Sequence, residues 1–204
     1  LPAWVPLIYD GTFYYNYTLE QFQAVDPTNV SAIFIQKEED NTPLPITSVS
    51  NFAPYTNLTF ISLYNAFLSE INFEDITLVP NETLPVSPSV EASGMVSLTA
   101  VNNLPKNASQ YYFGENNFPK SSVDNVLIEI DNQGNTNGYV VLQGEYMDGP
   151  TDAGFAAISN LSFKGWSVYY ESGSPQLNSN NNDVDCIHLF ICLLYTSPSP
   201  RDAT

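Results

Sequence analysis

The chain has 204 residues, enough for one domain with a substantial core. It carries 22 acidic residues against 5 basic ones, a formal charge of −17. Only 13% of the residues are charged, compared with roughly 25% in average soluble domains. So few Lys and Arg exclude nucleic-acid binding, which needs clustered cations to displace phosphate counterions, and docking on an anionic bilayer.

Asn, Ser and Thr make up more than a quarter of the chain, and there are 13 Tyr. Solubility that rests on amides and hydroxyls rather than charge suits an extracellular or cell-surface location. Leu1 reads as a mature N-terminus after signal removal, or as the edge of a partial gene. No apolar run approaches the roughly 20 residues that span a bilayer; the longest, 187–194, is interrupted by His188.

In chain order, short β-rich runs separated by turn residues predict strands over 12–18, 30–36, 58–64, 73–79 and 95–101. Further strands are predicted over 110–113, 126–130, 139–146, 155–161 and 166–170. One or two helical turns are expected over 18–24. Alternation of Val126, Ile128 and Ile130 with Leu127 and Glu129 supports a half-buried strand. A hairpin through 131–138, turned by Asn137-Gly138, would join it to the next strand. Prolines 80, 85 and 88 mark an extended loop, and no internal repeat is visible. The expected fold class is all-β: a single β-sandwich, jelly-roll or Ig-like, of about 8–10 strands. It would occupy 1–177, with 178–191 as a polar linker.

Residues 192–204, CLLYTSPSPRDAT, resemble a translated sequencing adapter. That resemblance implies a gene fragment of metagenomic or transcriptomic origin with a non-native tail. The spacing of Cys186, His188 and Cys192 reaches into this segment, and a zinc site would need a fourth ligand.

Six Asn-x-Ser/Thr sequons, at Asn16, Asn29, Asn57, Asn81, Asn107 and Asn160, are candidate N-glycosylation sites. Composition alone predicts about three or four, so the excess is modest and their spread along the chain adds the weight. The loop with Asp131, Gln133, Asn135 and Asn137 offers oxygens at alternate positions. Asp131, Asn135 and Asn137 are therefore weak calcium candidates, against the plainer reading of a polar turn. No other cofactor is expected.

Ser/His/Asp catalysis needs an imidazole, and the single His lies beside the tail. Carboxylates such as Glu129, Asp131, Glu145 and Asp148 could pair as in a glycosidase, but no motif distinguishes a pair. The chain is expected not to be an enzyme. Three aromatic clusters remain: Tyr14, Tyr15 and Tyr17; Tyr111, Tyr112 and Phe113; and Trp166, Tyr169 and Tyr170. Neighbours in a strand face opposite ways, so each cluster should expose about half its rings.

In low charge, Asn/Ser/Thr/Tyr enrichment and dispersed sequons the chain resembles secreted, glycosylated archaeal filament subunits. The resemblance implies a structural subunit of a filament or surface coat whose sandwich polymerises with copies of itself by strand donation. Leu1–Tyr9, LPAWVPLIY, would then be either the exchanged strand or an edge strand of its own sandwich. The alternative is a secreted carbohydrate-binding or adhesion module, calcium-assisted, that stacks exposed aromatics on glycans.

Overall fold

The computed structural model describes residues 7–9, 14–16, 26–35, 52–64, 66–80 and 87–171. The chain divides into two units, Leu1–Gly173 and Ser174–Thr204, and every described residue belongs to the first. Residues 18–24, 178–191 and 192–204, for which a helix, a linker and a tail were expected, lie outside the described set.

The fold is mixed α/β, which overturns the expected all-β sandwich. Strands β1 (Leu7–Tyr9), β2 (Tyr14–Asn16), β3 (Ala32–Ile35), β4 (Phe60–Tyr64) and β5 (Glu70–Asn72) come first. They are followed by β6 (Ser89–Ser93), β7 (Ala100–Asn102), β8 (Gln110–Tyr112), β9 (Tyr139–Leu142) and β10 (Ser167–Tyr170). Helix α1 (Lys120–Gln133) precedes β9, and α2 (Asp152–Phe163) precedes β10. One eight-stranded sheet runs β10-β9-β8-β6-β4-β3-β1-β2. Its six strands from β3 to β10 are mutually parallel, and β1 pairs antiparallel with both β2 and β3.

Strands that lie side by side in chain order, all parallel, make each stretch between them one coil of a solenoid. Ala32, Phe60, Ser89, Gln110, Tyr139 and Ser167 stand in a single row across the sheet. Successive coils therefore advance by 28, 29, 21, 29 and 28 residues. The repeat that the sequence concealed is thus real. Its buried positions are Leu58, Ile61, Leu63, Ala66 and Leu68 in one coil, and Ala108, Tyr111, Phe113, Asn116 and Phe118 two coils later. The spacing is that of the leucine-rich pattern L-x-x-L-x-L-x-x-N-x-L, with the leucines widely replaced.

The return legs differ. β5 and β7 form a second, two-stranded parallel sheet, continued by a bridge between Thr77 and Lys106. Later coils return through α1 and α2, which pack on each other. The coil that returns through β7 takes 21 residues, whereas the coil through β5 takes 29, as does the coil through α1, so a strand in the return leg does not by itself set the coil length.

Two predicted strands are helices. In α1, Val123, Val126, Leu127 and Ile130 fall at i, i+3, i+4 and i+7, and all four are fully buried. Ile128, counted with Val126 and Ile130 on the apolar face of a strand, is exposed. Gly134, with φ of 77°, ends the helix in the left-handed region. In α2, Thr151 caps the first turn by accepting from the Ala153 amide, and Gly154, Ala157 and Leu161 face inward. Hence there is no hairpin between 126–130 and 139–146. The segment after α1 feeds β9, which lies between the parallel strands β8 and β10.

Polar groups fasten coil to coil. The buried Asn116 side chain donates to the carbonyls of Ala92 (2.6 Å) and Phe113 (2.9 Å), and accepts from the Met95 amide (3.0 Å). Asp124 of α1 accepts from both the amide and the hydroxyl of Thr151. The single Tyr111 hydroxyl proton is shared between the Pro105 carbonyl (2.6 Å) and the Gln133 side-chain oxygen (3.1 Å), and burial drives the hydroxyl pKa far up. Trp166 stacks on Tyr111 at 6.1 Å and donates its indole N–H to the Asn135 carbonyl.

Candidate functional site

Along the parallel strands, side chains alternate between two faces, as the pleat requires. Ile33, Ile61, Leu63, Val90, Ala92, Tyr111, Val140 and Leu142 point into the core. The opposite face carries Phe60, Ser62 and Tyr64 on β4, then Ser89, Glu91 and Ser93 on β6. It continues with Gln110 and Tyr112 on β8, Tyr139 and Val141 on β9, and Ser167 and Tyr169 on β10. Among the described residues the helices pack on the core side, where α1 inserts Val123, Val126 and Leu127.

The rings of this outer face stand out while the small residues sink. Tyr64 is 41% exposed, and Tyr112, Tyr139 and Tyr169 are half-buried. Ser62, Ser89 and Ser93 are buried between the larger side chains. Expected alternation is observed in two of the aromatic clusters: Tyr112 and Tyr169 face outward, whereas Tyr111, Phe113 and Trp166 are buried. Side chains of Tyr14 and Tyr15 lie outside the described set, as does Tyr17 entirely.

Glu91 sits centrally. Its two carboxylate oxygens accept from the hydroxyls of Ser62 (3.1 Å) and Ser93 (3.3 Å), and in register it adjoins Ser62 on one side and Tyr112 on the other. Tyr139 donates its hydroxyl to Gln110 at 3.2 Å. The hydroxyl pKa of Tyr112 is raised by burial and then by the charges of Glu91 and Glu115. That of Tyr139 is raised by burial and then by Glu91. The face is thus aromatic, hydroxyl-rich and negative, with Tyr64, Tyr139 and Glu91 missed by the sequence reading. Row position within the 28-residue coil would have found them.

The calcium candidates have other occupations. Asp131 closes α1 and binds the Lys164 ammonium at 2.6 Å, while Asn160 donates to its second oxygen at 2.9 Å. Burial opposes ionisation of Asp131, but these hydrogen bonds and the Lys164 charge outweigh it, and its pKa is lowered. Asn135 donates to Gln133 and the Ala108 carbonyl, and Asn137 to Thr136. Asn137 has the positive φ expected of it, 59°, but in the connection from α1 to β9 and not in a hairpin. Gly138 has a different reason to be glycine: an added Cβ would lie 2.5 Å from the Ser109 carbonyl and 2.6 Å from the Trp166 ring. No group of three His, Cys, Asp or Glu able to hold a metal occurs among the described residues.

The sequons fall into a pattern. Asn29, Asn57 and Asn107 are exposed and each lies three residues before the aligned position that opens β3, β4 and β8. The residue after each, Val30, Leu58 or Ala108, is a buried coil position. The hydroxyl two residues on ties neighbouring coils together, from Thr59 to the Val79 carbonyl and from Ser109 to the Pro88 carbonyl. Part of the sequon excess therefore has a structural origin in the repeat. Asn57 also donates to the Thr28 carbonyl at 2.5 Å. Asn160 is exposed near the end of α2, not in a strand. The side chain of Asn16 and the whole of Asn81 lie outside the described residues.

Leu7–Tyr9 of the expected donor segment is paired on both sides within its own chain, with β2 and with β3. Residues 1–6 are outside the described set. No family model, curated protein or solved structure matches the chain. No helix among the described residues is long and apolar enough to cross a membrane.

Proposed function

We propose that this chain is a non-catalytic, extracellular or cell-surface binding module, acting in adhesion, that holds its ligand on the outer face of the parallel sheet. The observation that carries this reading is the gathering of Tyr64, Tyr112, Tyr139 and Tyr169 with Ser, Gln and Glu side chains on one face of the strands. Tyrosine combines a large amphipathic ring with few rotatable bonds, so ordering it on binding costs little entropy. The hydroxyls, amide and carboxylate between the rings supply directional contacts, and a rigid sheet fixes their spacing. A surface rich in amides and hydroxyls and poor in Lys and Arg fits life outside the cell. Of the two functions expected from the sequence, adhesion is the better supported, because strand donation would require releasing a segment paired on both edges.

Tyr112→Ala and Tyr139→Ala should each weaken capture of the preferred ligand about tenfold, roughly 1.4 kcal/mol, without displacing the core. An array of neutral oligosaccharides and of basic, neutral and acidic peptides, probed with the full chain, measures this. Phe163→Ala is the control, since Phe163 is 90% exposed on α2 away from the face. Loss with Phe163→Ala and retention with the tyrosine variants would overturn the proposal.

A further inference from the structure

We infer that the ligand of this face is cationic, and that a lysine or arginine side chain of a basic peptide segment docks on Glu91 beside the rings of Tyr112 and Tyr139. The inference rests on the binding role proposed above and adds the chemistry of the partner.

Among the described residues, Glu91 is a charge without a counter-charge. Each of its oxygens meets a neutral hydroxyl, from Ser62 or Ser93. A carboxylate has about four acceptor sites, so two hydroxyls leave capacity for a further donor. Among the described residues no Lys or Arg forms an ion pair with it. Lys106 is paired with Asp75, Lys164 with Asp131, and Lys120 opens α1 on the core side of the sheet.

The rings strengthen the case. The faces of tyrosine rings carry negative charge density, and a cation within about 6 Å of a ring centroid is attracted to it. Glu91 lies close enough to raise the hydroxyl pKa of both Tyr112 and Tyr139, and Glu115 adds to the effect at Tyr112. A neutral sugar would satisfy the hydroxyls but leave this negative field uncompensated. A basic side chain answers the carboxylate and the ring faces together. The net charge of −17 would also speed its arrival from solution.

The test is binding of hexalysine and of cellohexaose to the full chain at physiological ionic strength, for the parent, Glu91→Gln, Tyr112→Ala and Asp152→Asn. Glu91→Gln keeps the shape, its carbonyl oxygen accepting from one serine and its amide nitrogen donating to the hydroxyl of the other, and unfolding curves check that each variant is folded. Asp152 is an exposed carboxylate in the first turn of α2 and reports the effect of net charge alone. Expected is a loss of hexalysine affinity of about tenfold or more in Glu91→Gln and Tyr112→Ala, and under about twofold in Asp152→Asn. Equal losses in Glu91→Gln and Asp152→Asn would reduce the effect to bulk charge and overturn the inference. Cellohexaose binding that Tyr112→Ala removes, without hexalysine binding, would overturn it too but leave the sheet-face role standing. Indifference of both probes to Tyr112→Ala would overturn both.

Discussion

Asn116→Ala is expected to lower the unfolding free energy by about 3–5 kcal/mol, a large share of the 5–15 kcal/mol that holds a typical domain together. Asn116 is fully buried, and its one amide satisfies three backbone groups: the carbonyls of Ala92 and Phe113 and the N–H of Met95. Alanine would leave all three without partners in a region closed to water. Each orphaned group costs about 1–3 kcal/mol, offset in part by relaxation. The contacts join the β6 coil to the β8 coil, so the loss should also loosen their pairing. Asn117, the exposed neighbour, is the control; Asn117→Ala should change stability by less than about 0.5 kcal/mol. Urea denaturation of the three proteins measures the difference, and equal midpoints would contradict the role given to Asn116.

The second large effect concerns the junction of α1 and α2. A Cβ on Gly154 would lie 2.2 Å from the Asp124 carboxylate and 2.7 Å from Pro150. Helix propensity alone would make Gly154→Ala stabilising by about 1 kcal/mol. Overpacking decides the sign, and a net loss of about 1–2 kcal/mol is expected. Asp124→Ala should itself cost about 2–3 kcal/mol, because it strips the acceptor from the Thr151 amide and hydroxyl. Together the two should be less than additive by at least about 1 kcal/mol, since removing the carboxylate removes most of the clash. Strict additivity in urea denaturation of the four-protein cycle would show that the two residues do not touch.

How much of this was legible in the residues depends on the element. The runs at 30–36, 58–64, 110–113, 139–146 and 166–170 were read as strands, and each contains one. β6 was missed because Ser-Val-Glu-Ala-Ser is short, polar and set beside prolines. The helices were misread for a sharper reason. Val126, Ile128 and Ile130 alternate as a strand would, but Val123 and Leu127 complete a helical stripe that the alternation hides. Pro119 before α1, Gly134 after it and Thr151-Asp152 at the start of α2 are boundary signals.

The repeat escaped notice because its positions are filled loosely. Leu63, Ala92, Phe113 and Leu142 stand at one position of successive coils, and among Ala66, Met95, Asn116 and Glu145 only one is the asparagine of the pattern. A coil of 21 residues between longer ones breaks the period as well. The binding face depends on that period. Tyr64, Glu91, Tyr112, Tyr139 and Tyr169 are scattered over more than a hundred residues, and only coil-by-coil stacking brings them onto one surface.

That stacking is what everything else rests on. Nuclear Overhauser contacts in the isotope-labelled chain test it directly. Expected are parallel cross-strand contacts that place Val90 between Ile61 and Tyr111, and Val140 between Tyr111 and Val168, together with sequential amide–amide contacts through 120–133. Close antiparallel Hα–Hα contacts between 126–130 and 139–146, the mark of a hairpin in a sandwich, would contradict the solenoid and the binding face with it.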